Sequence, residues 1–471
     1  MPDDSHPKQF HESRWMWLSD KLLDRLRGKI TLILEDGERR AVIGTTLDDL
    51  SGEIGDELRD QLSDEQTRKK FLDYFLSYEL IEGFLSDPLV EDIMINSTDP
   101  IFVHKTGEGL VKTDKRFTSI RDLDLFVKKL VVFGGRPDLE LLNNIELFDV
   151  RGRVNIAWSP FGPQITITRA KERPLSILEL IEKGMFTYEL AGLLWLYIEG
   201  MSVRPANLLV AGEPGAGKTT FMNALMSFIP QTHRVVVIED TLELNTSCLA
   251  NCSRLETYGE LTMAHLVKNS LRMRPDRVII GEVRGAEAQD LMMAINIGKY
   301  CMGTLHAPNA RETVIRLQTE PMNVPETLVN LVDVFIILKR LNLWGKITRV
   351  VGEIVETSGM ENRVVLLSPV WSFDETRRRA VESSPSSVYR DRLAQASGLT
   401  SNQIMLETIR RSNILRLMHT KLNLKMVEEI TNFCHLYLMQ QDQALRQLGV
   451  TMRELEIKRP SDGPSGGLRK R

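Results

Sequence analysis

Residues 212 to 219 read Gly-Glu-Pro-Gly-Ala-Gly-Lys-Thr and follow the apolar run Leu208, Leu209, Val210, Ala211. No other feature of the chain limits its fold as strongly. A glycine-rich octet of this form cradles phosphate only when a buried strand delivers it and a helix starts directly after it. Backbone N–H groups and the positive end of the helix then face the anion. Thr219, Thr220, Phe221, Met222, Asn223, Ala224 and Leu225 supply the first two turns of such a helix. The predicted nucleotide contacts are therefore Gly212, Glu213, Pro214, Gly215, Ala216, Gly217, Lys218, Thr219 and Thr220. In this arrangement the Lys218 ammonium reaches β- and γ-phosphate oxygens, and the Thr219 hydroxyl is offered to Mg²⁺. The expected ligands are ATP and Mg²⁺.

Strand-like runs continue at Val235–Ile238, Val278–Gly281, Met302–Leu305 and Val334–Leu338, separated by helical stretches, which predicts a parallel sheet covered by helices. Hydrolysis needs a carboxylate to position or deprotonate water, and positive groups where charge develops. Such acids are expected at the C-terminal ends of strands next to the P-loop strand. Two strands stop at an acid: Val235–Ile238 at Glu239-Asp240-Thr241, with Glu243 beyond, and Val278–Gly281 at Glu282, followed by Val283-Arg284-Gly285. A third, Met302–Leu305, ends at His306. A lone histidine is usually structural; at the tip of this strand it could instead report γ-phosphate through a ring hydrogen bond.

The length of 471 residues suggests about three domains. A net charge of −4 makes no overall case for nucleic acid or an anionic membrane. No apolar run approaches the ~18 residues that span a bilayer. Leu331 to Leu338 is interrupted by Asp333 and stops at Lys339-Arg340. The N-terminus lacks the apolar stretch of a signal peptide, so a cytoplasmic location is expected. Cys248 and Cys252 are spaced as a half-site for metal, but incidental thiols in a reducing compartment are the simpler reading.

Along the chain, residues 1–62 read as an irregular appendage. It holds a short amphipathic helix (Trp15, Trp17, Leu18, Leu22, Leu23, Leu26) and a strand, Lys29 to Leu34, closed by an Asp36-Gly37 turn. Residues 63–170 mix helix and strand as an α+β domain, and 171–374 form the nucleotide domain, opened by a linker near Lys171 to Ile181. Residues 375–390, with three consecutive arginines and a Ser/Pro run, resemble a linker inside a C-terminal helical region, 375–457. Residues 458–471 read as a disordered basic tail.

Four motifs in order give the chain a family resemblance. They are the P-loop Gly212–Thr219; Ile238-Glu239-Asp240-Thr241-Leu242-Glu243-Leu244; Arg274 to Gly285, with glycine before Glu282; and Gly303-Thr304-Leu305-His306-Ala307. These resemble the P-loop, "Asp box", Walker B and "His box" of the secretion-superfamily ATPases, which serve type II and type IV secretion, type IV pili and the archaellum. The resemblance reaches back to Asp87–Asn96, and Glu320 to Pro325 is similar to archaeal members.

The resemblance implies an α/β, RecA-like P-loop NTPase domain with a mainly parallel sheet, preceded by an α+β N-terminal domain and followed by C-terminal helices. It implies Glu239 as the water-activating acid and Glu282 near Mg²⁺ and γ-phosphate, or the reverse. Arg272, Arg274 and Arg284 would neutralise phosphate charge, and Arg151, Arg153 and Arg169 would enter the cleft from the N-terminal domain. It further implies a homo-hexameric ATP hydrolase, peripheral at the inner face of the cell membrane, docked on an integral membrane platform protein and driving filament assembly or protein secretion.

A nucleic-acid-transfer motor or helicase-like ATPase is the alternative, although neither a basic channel nor stacking aromatics is concentrated in the sequence. A nucleotide-binding regulator with little turnover is a third. The chain departs from the family pattern at Val150-Arg151-Gly152-Arg153, where Asp-Gly-x-Arg is usual, and at Ile297 to Cys301, which lacks the usual Gly-His pair. The tetracysteine zinc motif of some type II members is also missing, so no structural metal is expected.

Overall fold

A computed structural model of the chain describes residues 6–31, 34–50, 52–136, 142–147, 152–169, 173–343 and 346–457. The chain divides into two compact units, Met1–Arg173 and Pro174–Arg471. Among the described residues no helix is long and apolar enough to cross a membrane.

The first unit carries an antiparallel sheet of β1 (Val90–Asn96), β2 (Ile101–Lys105), β3 (Gly109–Lys112), β4 (Leu142–Leu147), β5 (Gly152–Ser159) and β6 (Gly162–Arg169), in the order β3-β2-β1-β6-β5-β4. Alternation sets its buried face: Ile93 and Ile95 pair with Ile167 and Ile165, and Val154 and Ile156 lie beside them. The helix Ile120–Phe133, capped by Ser119 accepting from the Asp122 N–H, buries Leu123, Val127 and Leu130 in the same core.

The described residues of this N-terminal stretch are largely helical rather than irregular. The helices His6–Leu26, Asp36–Leu50 and Asp56–Ser63 place Leu18, Leu22, Ile43, Leu47 and Leu58 in the core that holds Ile93 and Ile165. The expected Asp36-Gly37 hairpin turn is instead the start of a helix. Ile43, Leu47 and Leu50 recur at helical spacing, and burying that stripe outweighs the local turn preference. The disordered-tail reading of 458–471 lies outside the described residues.

Among its described residues the second unit holds nine strands: β7 (Leu208–Gly212), β8 (Val235–Glu239), β9 (Cys252–Glu256), β10 (Arg277–Ile280), β11 (Tyr300–Leu305), β12 (Val334–Leu343), β13 (Lys346–Glu361), β14 (Val364–Asp374) and β15 (Arg379–Glu382). Their order is β15-β14-β13-β12-β7-β11-β10-β8-β9. The six from β12 to β9 run parallel, and β13 to β15 extend the edge antiparallel. Both faces of the parallel part are covered. Leu208, Val210, Val235 and Val237 point into one core, Leu209, Ala211, Val236 and Ile238 into the other.

The segment read as a linker contains β15, paired to β14, so the arginine-rich stretch ends the sheet as a charged edge strand. The helix Val388–Ser397 follows, its Val388 and Tyr389 N–H groups donating to buried Glu356 at 3.0 and 3.1 Å.

Candidate functional site at the C-terminal edge of the parallel sheet

β7 delivers the glycine-rich loop and the helix Lys218–Met226 begins at its end, as the sequence requires. Gly215 (φ 73°) and Gly217 (φ 92°) occupy left-handed backbone, which lets the loop turn tightly into the helix. Lys218 is buried and its ammonium donates to the carbonyls of Gly212 (3.1 Å) and Glu213 (3.4 Å). Burial draws its pKa below the usual ammonium value, against the raising effect of the Glu282 charge.

The strands beside β7 are β11 and β12, not those carrying the acids. β10 lies two strands away and β8 three, so the Glu239 backbone stands about 14 Å along the sheet from the P-loop strand. This corrects the expectation that both acids flank β7. His306, at the end of β11, spans part of the gap. Its Nδ1 lies 3.0 Å from Lys218 Nζ and its Nε2 3.0 Å from Glu282 Oε1. Lys218 hydrogen-bonds the ring at Nδ1, while Nε2 faces Glu282 Oε1, a buried oxygen that accepts no hydrogen bond among the described residues. The other Glu282 oxygen accepts from Arg284 Nη2 at 2.5 Å. Burial alone would raise the Glu282 pKa, but the Arg284 bond and the Arg284, His306 and Lys218 charges bring it below the usual carboxylate value.

Glu239 is only 2% exposed. Its Oε1 accepts from the Glu243 and Leu244 N–H groups, both at 2.9 Å, and its Oε2 faces Arg254 Nη2 at 3.5 Å. Burial pushes its pKa up to about 7, against those two backbone bonds and the Arg254 charge. Gly281 leaves room for this side chain: a Cβ there would lie 2.8 Å from Glu239 Cγ. By holding the 240–244 loop, Glu239 brings Glu243 to the P-loop, where its Oε2 lies 3.4 Å from Thr219 Oγ1.

The sheet edge thus assembles Lys218, Thr219, His306, Glu282 and Arg284, with Glu239 one loop behind. Arg272 and Arg274 are exposed before the N-terminal end of β10, the opposite end from Glu282, and so lie away from this cluster. In the first unit, Arg169 Nη1 donates to the Asp87 carbonyl and to that of Val90 (3.0 Å), and Arg153 stands opposite Glu146 in the β4–β5 register. Arg151 lies outside the described residues.

Sequence reasoning missed three residues at the loop. Glu243 falls inside the Asp-box motif, but the sequence assigns it no role of its own. Arg340 on β12 and Arg349 on β13 reach the P-loop from its other side, and Arg349 Nε donates to the Gly215 carbonyl at 2.8 Å. The available signal was slight: strand order, which the sequence does not display, decides that residues after Leu338 run past Gly212.

The profile of the family described as "Type II/IV secretion system protein" matches residues 140–447. An uncharacterised protein of Methanocaldococcus jannaschii is 32% identical over 355 residues, covering 71% of this chain and 63% of that protein. A second from the same organism is 34% identical over 236 residues, covering 46% of this chain and 32% of its own length. The chain thus spans less than two thirds of either. The conjugal transfer protein TrbB of Rhizobium radiobacter is 28% identical over 290 residues, covering 59% of this chain and 87% of that protein.

Proposed function

The chain belongs to the type II/IV secretion system protein family, and from that premise we propose that it is a cytoplasmic, ring-forming ATPase. It couples ATP hydrolysis to assembly of a type IV pilus- or archaellum-like filament, or to protein secretion. In this reading six copies form the ring, which docks on an integral membrane platform protein at the inner face of the membrane.

The observation that carries the reading is the contact chain Lys218–His306–Glu282 beside the P-loop. The loop N–H groups and Lys218 hold the β- and γ-phosphates. Water attacks the γ-phosphorus, the bond to the β,γ-bridging oxygen breaks, and ADP and inorganic phosphate leave. The water's proton passes to a carboxylate. Glu282 and Glu243 stand at the loop, and Glu239 acts through Glu243 as a positioning residue. A phosphate oxygen that takes Lys218's donors removes the hydrogen bond to His306 Nδ1, so the ring registers phosphate and passes the change to Glu282.

Hard oxygen donors suit Mg²⁺, and the Thr219 hydroxyl with the Glu243 and Glu282 carboxylates fits that need. Bound there, the ion would supply neutralising charge to the phosphates.

Phosphate release by the full chain, measured alone, with vesicles carrying a polytopic integral membrane platform protein, and with single-stranded DNA, tests this function. Stimulation by the vesicles and not by DNA is expected. The match to a conjugal transfer protein favours DNA transfer as a second reading. Stimulation by DNA alone would move the conclusion there.

A further inference from the structure

Two cations stand on the side of the P-loop away from His306 and Glu282. Arg340 and Arg349 face each other in the antiparallel register of the β12–β13 hairpin. β12 runs parallel to β7 with Leu338 opposite Gly212, so the two strands carry both arginines past the point where β7 turns into the loop. Arg349 Nε donates to the Gly215 carbonyl at 2.8 Å. A methyl group built on Gly217 would meet Arg349 Cδ at 3.2 Å, and one on Gly215 would lie 3.7 Å from Arg340 Nη1. Both arginines are exposed, and neither forms an ion pair among the described residues.

We propose that Arg340 and Arg349 form a second, β12-side grip on the nucleotide. Arg349 holds the apex of the loop through the Gly215 carbonyl, and Arg340 supplies positive charge to the polyphosphate. The proposal rests on the nucleotide-binding reading above and deepens it. Two guanidinium groups repel each other on facing strands unless an anion lies between or beside them. The anion that the loop itself is shaped for is the one within reach. Arg349 is a positioning residue here, since it acts through the loop; Arg340 is a binding residue. An adenosine moiety carries no charge and gains nothing from either.

The test is binding of a fluorescent ATP analogue to the full chain over a series of salt concentrations, with unlabelled ATP, ADP and adenosine as competitors. Arg340→Ala and Arg349→Ala should each weaken ATP and ADP by about 3- to 10-fold and flatten the salt dependence, with adenosine unchanged. Arg340→Lys should recover most of the lost affinity, because charge is what it supplies. Thermal midpoints should stay at the unsubstituted value, both side chains being exposed. Unchanged affinity and salt dependence in both alanine variants, beside a loss in Lys218→Ala, would overturn the arginine grip alone. Absence of ATP binding by the unsubstituted chain would sink the grip and the nucleotide reading together.

Discussion

Two charged clusters in the second unit have similar ingredients and opposite character. One is Lys218, His306, Glu282 and Arg284 at the sheet edge. The other joins the helices Tyr188–Glu199, Ser401–Thr420 and Val427–Met439, where Arg411 binds Glu199 at 2.6 Å and Glu407 at 3.0 Å. Tyr437 donates to Glu407 at 3.1 Å, and Met201 N–H and Ser202 fill the remaining valences of Glu199. Arg411 and Glu199 are 3% and 2% exposed, whereas Arg284 is 56% exposed.

Burial would raise the Glu199 pKa, but the Arg411 charge and hydrogen bonds bring it below the usual value. In the helix cluster the ion pairs are made between side chains sealed from solvent, with Arg411 Nη1 left as a buried donor without a hydrogen-bond partner among the described residues. At the sheet edge Lys218 satisfies itself with two loop carbonyls and a ring nitrogen, partners that a phosphate can replace. Charge count does not separate a functional cluster from a structural one; access to a ligand does, with Arg411 3% exposed and Arg284 56%.

That contrast can be broken by substitution. Arg411→Ala leaves Glu199 buried without its partner, so the loss should reach about 3–5 kcal/mol of stability with kcat retained in the folded fraction at low temperature. A denaturation curve and a phosphate-release assay on one sample check both halves. A large loss of turnover at unchanged stability would erase the distinction. Glu282→Gln should do the reverse, lowering kcat by about 10²-fold while the melting curve stays in place.

Glu239 sharpens the comparison because it is a buried acid that serves the open site. Its folded pKa of about 7 exceeds the unfolded value, so the folded state holds a proton that the unfolded state releases between about pH 4.5 and 7. Its contribution to stability is therefore present at low pH and lost as pH rises through that window. Glu239→Gln, which mimics the protonated carboxyl, should flatten this dependence by on the order of 2 kcal/mol between pH 5 and pH 8. Parallel slopes for the two proteins would show that Glu239 is ionised in the fold. The smallest effect expected is from His306→Ala, about 10-fold in kcat with ATP affinity preserved, because Lys218 keeps its loop carbonyls. Lost affinity instead would make the ring a binding residue.

Much of the parallel sheet was readable because its strands are buried on both faces. Leu208–Ala211, Val235–Ile238 and Val334–Leu338 are apolar runs that no surface element needs, and each sits inside an observed strand. β9 escaped notice for the converse reason. Cys252–Glu256 is a half-buried edge with no apolar pattern. The helix stripe at Ile43, Leu47 and Leu50 was hidden by a turn-like dipeptide.

At the site, Lys218, Glu282 and His306 were legible from local context, since each ends a recognisable strand or loop. Strand order was not. It alone decides that His306 is the neighbour of Lys218, that Glu239 acts from three strands away, and that Arg340 and Arg349 lie against the P-loop. Loop folding likewise decides that Glu243, rather than Asp240, meets Thr219.

The most direct measurement is steady-state release of phosphate from ATP, with Mg²⁺ supplied, by the purified full chain and by Lys218→Ala. The account predicts sustained release by the unsubstituted chain and a background rate for the variant. Equal rates in the two proteins, or no release from the unsubstituted chain, would contradict it.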